Sequence, residues 1–261
     1  MSSASTPLWA VTSYYNPAGY RRRKTNYDVF RAKLVAPLVA VELSHNGDFQ
    51  LTEDDADILL QLHCPDVMWQ KERLLNVGIA AVPEDVAHVA WLDCDLVFED
   101  DQWMDDAVRT LGDASLVHLY GRRLNLHREA DPESQSEDRV DVALSAIAAS
   151  SAGLPSDPEL ADSDAPLTLR RTVGLAWAAR RELLDCHGLY DAAILGSGDR
   201  LILGAALGRC DLGRRTLAMN DAQTVHYLAW AEPFSRSVCG RVGFIDHTVR
   251  HLWHGDLRDR R

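Results

Sequence analysis

The order of apolar and polar positions along the chain predicts strands and helices in alternation. Short apolar runs predict strands over the ranges Leu8–Ser13, Leu38–Leu43, Val89–Leu92 and Gly174–Ala178. Apolar residues at helical spacing predict helices over the ranges Asn26–Val35, Asp54–Leu62, Val67–Val77, Arg180–Cys186 and Asp199–Leu207. The third of these helices is expected to stop at Asn76–Gly78. Such alternation is typical of a sheet built mainly from parallel strands, so the sequence predicts an α/β fold.

Residues 127–166 interrupt this pattern. The segment is rich in Asp, Glu, Ser, Pro and Ala, and only Val140–Ala149 has a regular apolar spacing. A polar stretch of this length inside a compact domain is either a functional lid or a disordered insertion. We therefore predict a single domain over residues 1–261, with a polar insertion at about 127–166 as a candidate mobile lid.

The composition is that of a globular protein with an acidic surface. The chain has 261 residues, of which 46% are hydrophobic, and a formal net charge of -12. A partner held mainly through a phosphate backbone needs a dense basic surface, so nucleic acid is expected at most as an acceptor. Short arginine clusters at 21–23, 122–123, 170–171 and 214–215 would suit a local anion site, although most such clusters are simply solvated.

Cysteine usage and hydropathy favour a cytoplasmic protein. The five cysteines are widely scattered, which predicts reduced thiols rather than disulfides or a zinc site. The first segment, MSSASTPLWA, lacks the basic and apolar regions of a signal peptide. No apolar run approaches the roughly 20 residues that span a bilayer. We therefore expect a soluble chain without a membrane span.

Candidate chemistry begins at Asp93-Cys94-Asp95, directly after the predicted strand Val89–Leu92. Ligands of open α/β sheets bind beyond the carboxyl ends of the strands, so both carboxylates are expected to face a cleft. Hard divalent cations prefer carboxylate oxygens, and a nucleotide diphosphate supplies further oxygens. The motif therefore predicts a metal-nucleotide site, although Asp-x-Asp also occurs often by chance.

Three further segments could complete such a site. Lys71, on a basic helix, could reach nucleotide phosphates or be an ordinary exposed charge. Asp199 follows the small residues Gly196–Gly198, and it would serve either as a general base towards an acceptor hydroxyl or as a helix N-cap. His251 and His254 would face one metal site if they lay on one helical turn. Histidine pairs of this kind are more often surface or core residues.

Taken in order, these motifs resemble those of the GT-A glycosyltransferases. The likeness is to the catalytic region of the β-1,4-galactosyltransferase family, and more loosely to the polypeptide N-acetylgalactosaminyltransferases. The galactosyltransferase helix ending in L-L-N-V-G is matched by Leu74–Gly78, and the Asp-Val-Asp motif by Asp93–Asp95. Leu195–Asp199 stands in the place of the W-G-G-E-D segment, and His251 and His254 are the counterpart of a Met-x-x-His.

The resemblance implies a GT-A fold, with a mixed, mainly parallel sheet flanked by helices. It implies a transfer, dependent on Mn²⁺ or Mg²⁺, of a sugar from a nucleotide-diphosphate sugar to an unidentified acceptor hydroxyl. A UDP-sugar is the expected donor, and inversion the expected outcome. Leu195 and Gly198 replace the family's tryptophan and glutamate, so galactose transfer to N-acetylglucosamine is not implied. Family members are usually membrane-anchored and disulfide-bonded, whereas this chain is expected to be a bacterial-type or phage-type cytoplasmic relative.

The resemblance also implies roles for individual residues. Asp199 is the expected catalytic base. The expected metal ligands are Asp93, Asp95, His254 and His251. The expected contacts to the nucleotide sugar are Thr12, Ser13, Glu42, Arg23, Lys71 and Asp93. The expected donor or acceptor pocket contains Trp177, Gly196, Ser197 and Gly198.

Two other interpretations stay open. A nucleotidyltransferase would share the nucleotide-binding sheet and the metal carboxylates, although Tyr14–Gly19 is a poor match to the Gly-rich, basic loop of such enzymes. A non-catalytic protein that binds a sugar nucleotide or a glycan is the second alternative. Intact Asp93, Asp95, Asp199 and His254 speak against the loss of activity that this alternative requires, although they do not prove turnover.

Overall fold

The computed structural model describes residues 8–130, 140–153, 171–194 and 196–255. In chain order, the strands of this part are β1 (Leu8–Tyr15), β2 (Leu38–Ser44), β3 (Ile58–His63), β4 (His88–Leu92), β5 (Leu96–Phe98), β6 (Leu116–His118), β7 (Arg122–Leu126), β8 (Val140–Ser145), β9 (Arg171–Thr172), β10 (Ala176–Arg180), β11 (Val242–Phe244) and β12 (Thr248–His251). The α-helices are α1 (Arg21–Lys33), α2 (Lys71–Ala81), α3 (Trp103–Leu111), α4 (Ala146–Ser151), α5 (Arg181–His187), α6 (Gly198–Ala206), α7 (Cys210–Thr216) and α8 (Asp221–Val238).

Seven of these strands form the main sheet, in the order β11-β6-β10-β4-β1-β2-β3. Strand β1 pairs in parallel with β2 and β4, and β2 with β3. Strand β10 runs antiparallel between β4 and β6. The predicted α/β fold with a mixed, mainly parallel sheet flanked by helices is therefore confirmed.

The alternation of side chains along β1 explains how the helices cover both faces of this sheet. Leu8 and Ala10 point into a core shared with α1 and α3, whereas Val11 points into a second core shared with α2, α5, α6 and α8. Burial of a large apolar side chain contributes about 1.5–3 kcal/mol. The two helical layers thus hold the strands from both sides and fix the position of the strand ends.

A second sheet, in the order β5-β12-β7-β8-β9, supplies the other wall of the site described below. Strand β12 pairs in parallel with β7, which brings His251 beside Asn125, and antiparallel with β5. The chain passes from β4 of the main sheet to β5 of the second sheet through Asp93–Asp95. This three-residue segment therefore joins the two sheets.

One predicted helix is wrong. The range Asp54–Leu62 contains a 3₁₀ turn at Glu53–Asp55 and then strand β3, which pairs with β2 at the edge of the main sheet. A short apolar run such as Ile58–Leu62 fits a strand as well as a helix, so its spacing alone could not decide between them. The segment forms a strand because it pairs with the edge of β2.

Helix boundaries also differ from the predicted ones. Helix α1 begins at Arg21 rather than Asn26, and α2 extends to Ala81, past the end predicted at Gly78. Gly78 does not stop the helix. A Cβ atom at this position would overlap Val11 and lie 3.0 Å from Val41, so the glycine lets α2 pack closely on the sheet.

The described part of the predicted insertion belongs to the second sheet. Strand β8 pairs antiparallel with β7, and α4 follows it directly, capped by the Ser145 hydroxyl that accepts from Ala148 N. Residues 131–139 and 154–170 lie outside the described residues. Within the predicted insertion, residues 140–151 thus form regular structure that pairs with β7, and the role of the segment as a lid stays a prediction.

All five cysteines are free thiols, as predicted. Among the described residues, no helix combines the length and the apolar character that a membrane crossing requires.

Candidate active site

Strands β1 and β4 end side by side at a cleft of about 420 Å³. Residues that are distant in sequence line this cleft. Strand β4 leads into it, α1 and α2 approach it, and the second sheet forms its far wall. The lining residues are Ser13, Arg23, Trp69, Lys71, Asp93, Cys94, Asp95, Arg123, Arg171, Thr172, Val173, Gly174, Leu175, Arg200, His251 and His254.

Asp95, His251 and His254 form the candidate metal centre. One ligand atom from each can be chosen so that all three lie within 4.8 Å of one another. The Nε2 atom of His251 lies 3.7 Å from Asp95 Oδ1, and that of His254 lies 3.7 Å from Asp95 Oδ2. A carboxylate with two imidazoles suits a divalent transition metal such as Mn²⁺ better than Mg²⁺, which prefers oxygen ligands. The residues therefore fit the predicted metal.

The two histidines converge without the predicted helical turn. His251 ends strand β12, and His254 lies in the non-helical segment that follows. The Nδ1 atom of His251 donates to Asn125 Oδ1 at 3.1 Å, which leaves Nε2, facing Asp95, with the lone pair that a metal requires. Asn125 is thus an outer-shell partner that the sequence did not indicate.

Helix α1 holds the segment that carries His254. The buried Asn26 side chain donates to the backbone carbonyl of Trp253 at 3.1 Å. The Trp253 ring also has the guanidinium groups of Arg22 and Arg128 at 5.5 and 5.2 Å from its centroid, within cation-π distance. These contacts fix the position of the segment beside Asp95.

Lys71, at the first position of α2, binds the two acids on its side of the cleft. Its Nζ donates to Asp199 Oδ2 at 2.8 Å and to Asp93 Oδ1 at 3.3 Å. Burial lowers the pKa of Lys71, but the Asp199, Asp93 and Glu72 carboxylates outweigh it and hold this pKa well above its usual value. Lys71 is therefore a permanent cation. Asp93 pairs with it and lies outside the three-residue metal cluster found among the described residues.

Burial raises the pKa of two further groups around this cation. The pKa of Asp93 rises to about 6, with Lys71 opposing burial and the Asp199 and Asp95 charges reinforcing it. Glu72, which is 3% exposed, has its pKa raised to about 7 by burial. The Glu72 carboxyl group fills the space in which a side chain at Gly198 would lie. Gly198, which was predicted to belong to the donor or acceptor pocket, therefore packs against Glu72 and does not line the cleft.

Asp199 lies at the margin of the cleft, at the start of α6. A Cβ atom at Gly174 would lie 2.7 Å from Asp199 Oδ2, so the glycine makes room for the carboxylate. The carbonyl of Gly174 accepts from Tyr120 Oη at 2.7 Å and from the His118 imidazole at 3.1 Å. Burial lowers the pKa of His118 to about 3, so this imidazole is neutral and supports the segment as a donor.

Three residues predicted to contact the ligand do not line this cleft. Thr12 is fully buried, and its hydroxyl donates to the Leu92 carbonyl at 2.7 Å across the β1-β4 pair. Trp177 is fully buried and stacks on His118 with ring centroids 4.2 Å apart. Glu42 lines a separate pocket of about 180 Å³ and accepts from the backbone of residues 50 and 51. Their strand positions are as predicted, but each side chain has a structural partner.

The predicted donor or acceptor pocket residues before α6 do not line this cleft. Gly196 and Ser197 lie outside the cleft lining, and Ser197 has a left-handed backbone with φ 69°. Leu195 lies outside the described residues. Ser13, Arg23, Lys71, Asp93, Asp95, His251 and His254 do line the cleft together, as the sequence predicts.

Among the lining residues that the sequence did not indicate are Trp69, Arg123, Arg171 and Arg200. The neighbouring arginines at 122–123 and 170–171 were the available signal, but pairs of this kind are usually solvated. Five cations and two carboxylates line the cleft, although acids outnumber Lys and Arg by 39 to 27 in the whole chain. The cleft is thus suited to a divalent cation with a bound anion.

No protein-family model and no curated protein matches the sequence. Among solved structures, S. aureus TarS 1-349 in complex with UDP-GlcNAc is similar with a TM-score of 0.48 and 10% identity, over 95% of this chain and 59% of that chain. Another structure of TarS 1-349 gives 0.47 and 11%, over 94% and 60%. A 4-diphosphocytidyl-2C-methyl-D-erythritol synthase from Anaerococcus prevotii gives 0.40 and 8%, over 92% and 86%.

This chain spans about 60% of the length of the TarS 1-349 structure. Similarity at this level does not reveal a reaction. None of these three structures is of a β-1,4-galactosyltransferase, so that narrower resemblance stays a prediction.

Proposed function

We propose that this protein is a metal-dependent glycosyltransferase of the GT-A type, which moves a sugar from a UDP-sugar to an acceptor hydroxyl. The observation that carries the proposal is the convergence of Asp95, His251 and His254 in the same cleft as Lys71, at the carboxyl ends of β1 and β4. Beyond the ends of such strands, α/β sheets bind their ligands. Residues this far apart in sequence meet here through the fold alone.

The donor would lie along the metal side of the cleft. A divalent cation, Mn²⁺ by preference, would supply electrophilic stabilisation of the nucleoside diphosphate leaving group. Arg23 lies on this side, where burial lowers its pKa but the nearby Asp95 and Asp93 charges outweigh this effect and hold the pKa above its usual value. Its buried Nε has no hydrogen-bond partner among the described residues. An anionic phosphate oxygen would satisfy it.

Asp199 is the proposed general base. Its Oδ2 is held by Lys71, whereas its Oδ1 makes no hydrogen bond within the described part of the chain. In a direct displacement with inversion, Asp199 takes the proton of the acceptor hydroxyl while that oxygen forms a bond to the anomeric carbon. The bond from that carbon to the phosphate oxygen breaks, and the nucleoside diphosphate departs.

A screen of nucleotide sugars with and without Mn²⁺ tests the proposal. We expect slow, Mn²⁺-dependent release of a nucleoside diphosphate from one UDP-sugar, which is lost in Asp95→Asn. A nucleotidyltransferase would instead release pyrophosphate from a nucleoside triphosphate and a sugar 1-phosphate, and this result would contradict the proposal. Thermal stabilisation by UDP with Mn²⁺, but without turnover of any donor, would indicate a binding protein.

A further inference from the structure

The segment that joins β9 of the second sheet to β10 of the main sheet passes beside the proposed base. It consists of residues 173–175, and we call it the connecting segment. Gly174 lies so close to Asp199 that a Cβ atom there would be 2.7 Å from Asp199 Oδ2. The carbonyl of Leu175 accepts from the backbone N–H of Asp93 at 2.7 Å. The connecting segment therefore contacts two acids of the cleft, one through a side chain and one through the backbone.

Leu175 has an uncommon backbone conformation within this segment. Its φ is 78°, which lies in the left-handed region, although the residue is not a glycine. The Cβ atom of an L-residue makes this region unfavourable, so such a conformation persists only where the surrounding contacts fix the backbone. The connecting segment is therefore strained, and its neighbours must hold it.

Buried donors fix all three carbonyls of the connecting segment. The carbonyl of Val173 accepts from Trp177 Nε1 at 2.9 Å. That of Gly174 accepts from Tyr120 Oη at 2.7 Å and from the His118 imidazole at 3.1 Å. The third carbonyl has the backbone partner given above. The three donor side chains are fully buried, and the two donors to Gly174 use both lone pairs of its carbonyl.

The protons of this network all point towards Gly174. Tyr120 has one hydroxyl proton and donates it to that carbonyl, so its oxygen accepts from Thr172 Oγ1 at 2.9 Å. Thr172 Oγ1 in turn accepts from Arg123 Nη1 at 3.0 Å. Burial raises the pKa of Tyr120 and lowers that of His118 to about 3, so both side chains are neutral donors near neutral pH.

From this arrangement we infer that Tyr120 is a positioning residue for the transfer. Together with His118, its hydroxyl holds the connecting segment in the strained conformation in which Gly174 directs the Asp199 carboxylate. The inference rests on the proposed function. Neither Tyr120 nor His118 lines the cleft, so both act through the segment. Without the hydroxyl the segment can relax and the carboxylate loses the surface that holds it, while Lys71 and the metal centre keep their own contacts.

Tyr120→Phe removes the hydroxyl and keeps the ring. We expect kcat to fall about 10- to 100-fold, because a misplacement of about 1 Å can slow a reaction by roughly 100-fold. The Kd of UDP with Mn²⁺ should stay at the wild-type value. Steady-state kinetics with the donor identified by the screen and calorimetry with UDP measure the two quantities separately.

The matched control is Tyr27→Phe. Tyr27 is also fully buried, and its hydroxyl donates to a backbone carbonyl, that of Asp55, at 2.8 Å outside the cleft. Both variants should lose a similar amount of stability in urea unfolding, since each loses one hydrogen bond of the same kind. Only Tyr120→Phe should lose turnover.

Hydrogen exchange of the Asp93 amide tests the same contact without turnover. This N–H donates to the carbonyl of Leu175, so relaxation of the connecting segment should expose it. In Tyr120→Phe, exchange measured by NMR should be about tenfold faster, as expected for the loss of one hydrogen bond. In Tyr27→Phe it should be unchanged.

Gly174→Ala provides a second variant that leaves the donors in place. Its Cβ atom would lie 2.7 Å from Asp199 Oδ2 and displace the carboxylate. We expect kcat to fall while UDP still binds with Mn²⁺. If Tyr120→Phe does not fold, this variant decides the question alone.

Three results would overturn the inference. These are a kcat of Tyr120→Phe equal to that of Tyr27→Phe, unchanged exchange of the Asp93 amide in Tyr120→Phe, or wild-type turnover in Gly174→Ala. In each case turnover by the wild type would still support the proposed function. If the wild type released no nucleoside diphosphate from any UDP-sugar, the proposed function and this inference would both fall.

Discussion

At the scale of single residues, Lys71 determines how the acids of the cleft are used. Its ammonium group donates hydrogen bonds to Asp199 Oδ2 and Asp93 Oδ1, so one cation orients both carboxylates. The third acid, Asp95, faces the two histidines instead. Three carboxylates that lie close in space thus have two different sets of partners, and their substitutions should have different effects.

Asp95→Asn should abolish Mn²⁺-dependent binding of UDP, because an amide oxygen is a much weaker ligand than a carboxylate for a divalent cation. Calorimetric titration of UDP with Mn²⁺ and with EDTA measures this dependence. Asp191→Asn, at a carboxylate paired with the exposed Arg73, is the matched control and should bind UDP normally. Unchanged Mn²⁺-dependent affinity in Asp95→Asn would remove this residue from the metal centre.

Asp199→Asn should bind donor as tightly as the wild type but lose transfer. The amide keeps the shape of the side chain and cannot accept the hydroxyl proton, so turnover should fall by about 10²–10⁴-fold, the usual contribution of a general base. Steady-state kinetics with the donor identified by the screen measures the loss. Turnover within a few fold of the Asp191→Asn control would exclude Asp199 as the base.

Glu72→Gln should stabilise the protein above neutral pH. Burial raises the pKa of Glu72 from 4.5 to about 7, so the folded state binds its proton more tightly than the unfolded state does. The contribution of the Glu72 proton to the free energy of unfolding is therefore complete below pH 4.5 and is lost as the pH rises through about 7. Each pKa unit corresponds to about 1.4 kcal/mol, so the total loss is roughly 3 kcal/mol.

Urea unfolding at pH 5 and pH 8 measures this difference. The neutral glutamine avoids the cost of ionising a buried acid, so the variant should gain stability relative to the wild type at pH 8 and little at pH 5. Equal differences at both pH values would contradict the raised pKa.

At the scale of elements, helix α1 holds the segment that carries His254, a residue of the candidate metal centre. Asn26 binds the carbonyl of Trp253, next to His254. Asn26→Ala should therefore weaken Mn²⁺ binding while all three ligands remain. Titration of the protein with Mn²⁺ measures it, and Asn46→Ala, at an exposed asparagine after β2, is the control. A fall in melting temperature with unchanged Mn²⁺ affinity would assign Asn26 a purely structural role.

The elements also show what the sequence could predict. Long apolar runs such as Leu38–Leu43 identified strands correctly, since burial on both faces leaves no alternative for them. Ile58–Leu62 was wrongly assigned to a helix because its apolar spacing fits a helix as well as a strand. It forms a strand because it pairs with the edge of β2. The end of α2 was predicted at Gly78 from local propensity. Gly78 instead lies inside the helix, because close packing on Val11 leaves no room for a side chain there.

At the scale of the whole molecule, the site was predictable wherever a motif followed a strand. Asp93 and Asp95 are correctly placed because they follow β4 directly. Arg123, Arg171 and Arg200 were not predictable as lining residues, because this depends on the order of strands in the second sheet for the first two and on the position of α6 for the third. Thr12 and Trp177 were assigned to the site by the family resemblance, but alternation along each strand turns their side chains into the core.

The candidate metal centre links Asp95 to two residues near the end of the described chain, His251 and His254. An ion bound there would act as a removable cross-link that closes most of the fold into one loop, and a hundredfold excess over the dissociation constant would add about 2.7 kcal/mol to the stability. Amide hydrogen exchange should then slow on addition of Mn²⁺, in β12 and in core strands such as β2 that exchange by global unfolding, and accelerate again with EDTA. If the exchange rate in β12 did not change with Mn²⁺, protein contacts alone would hold the region of Asp95 to that of His251 and His254.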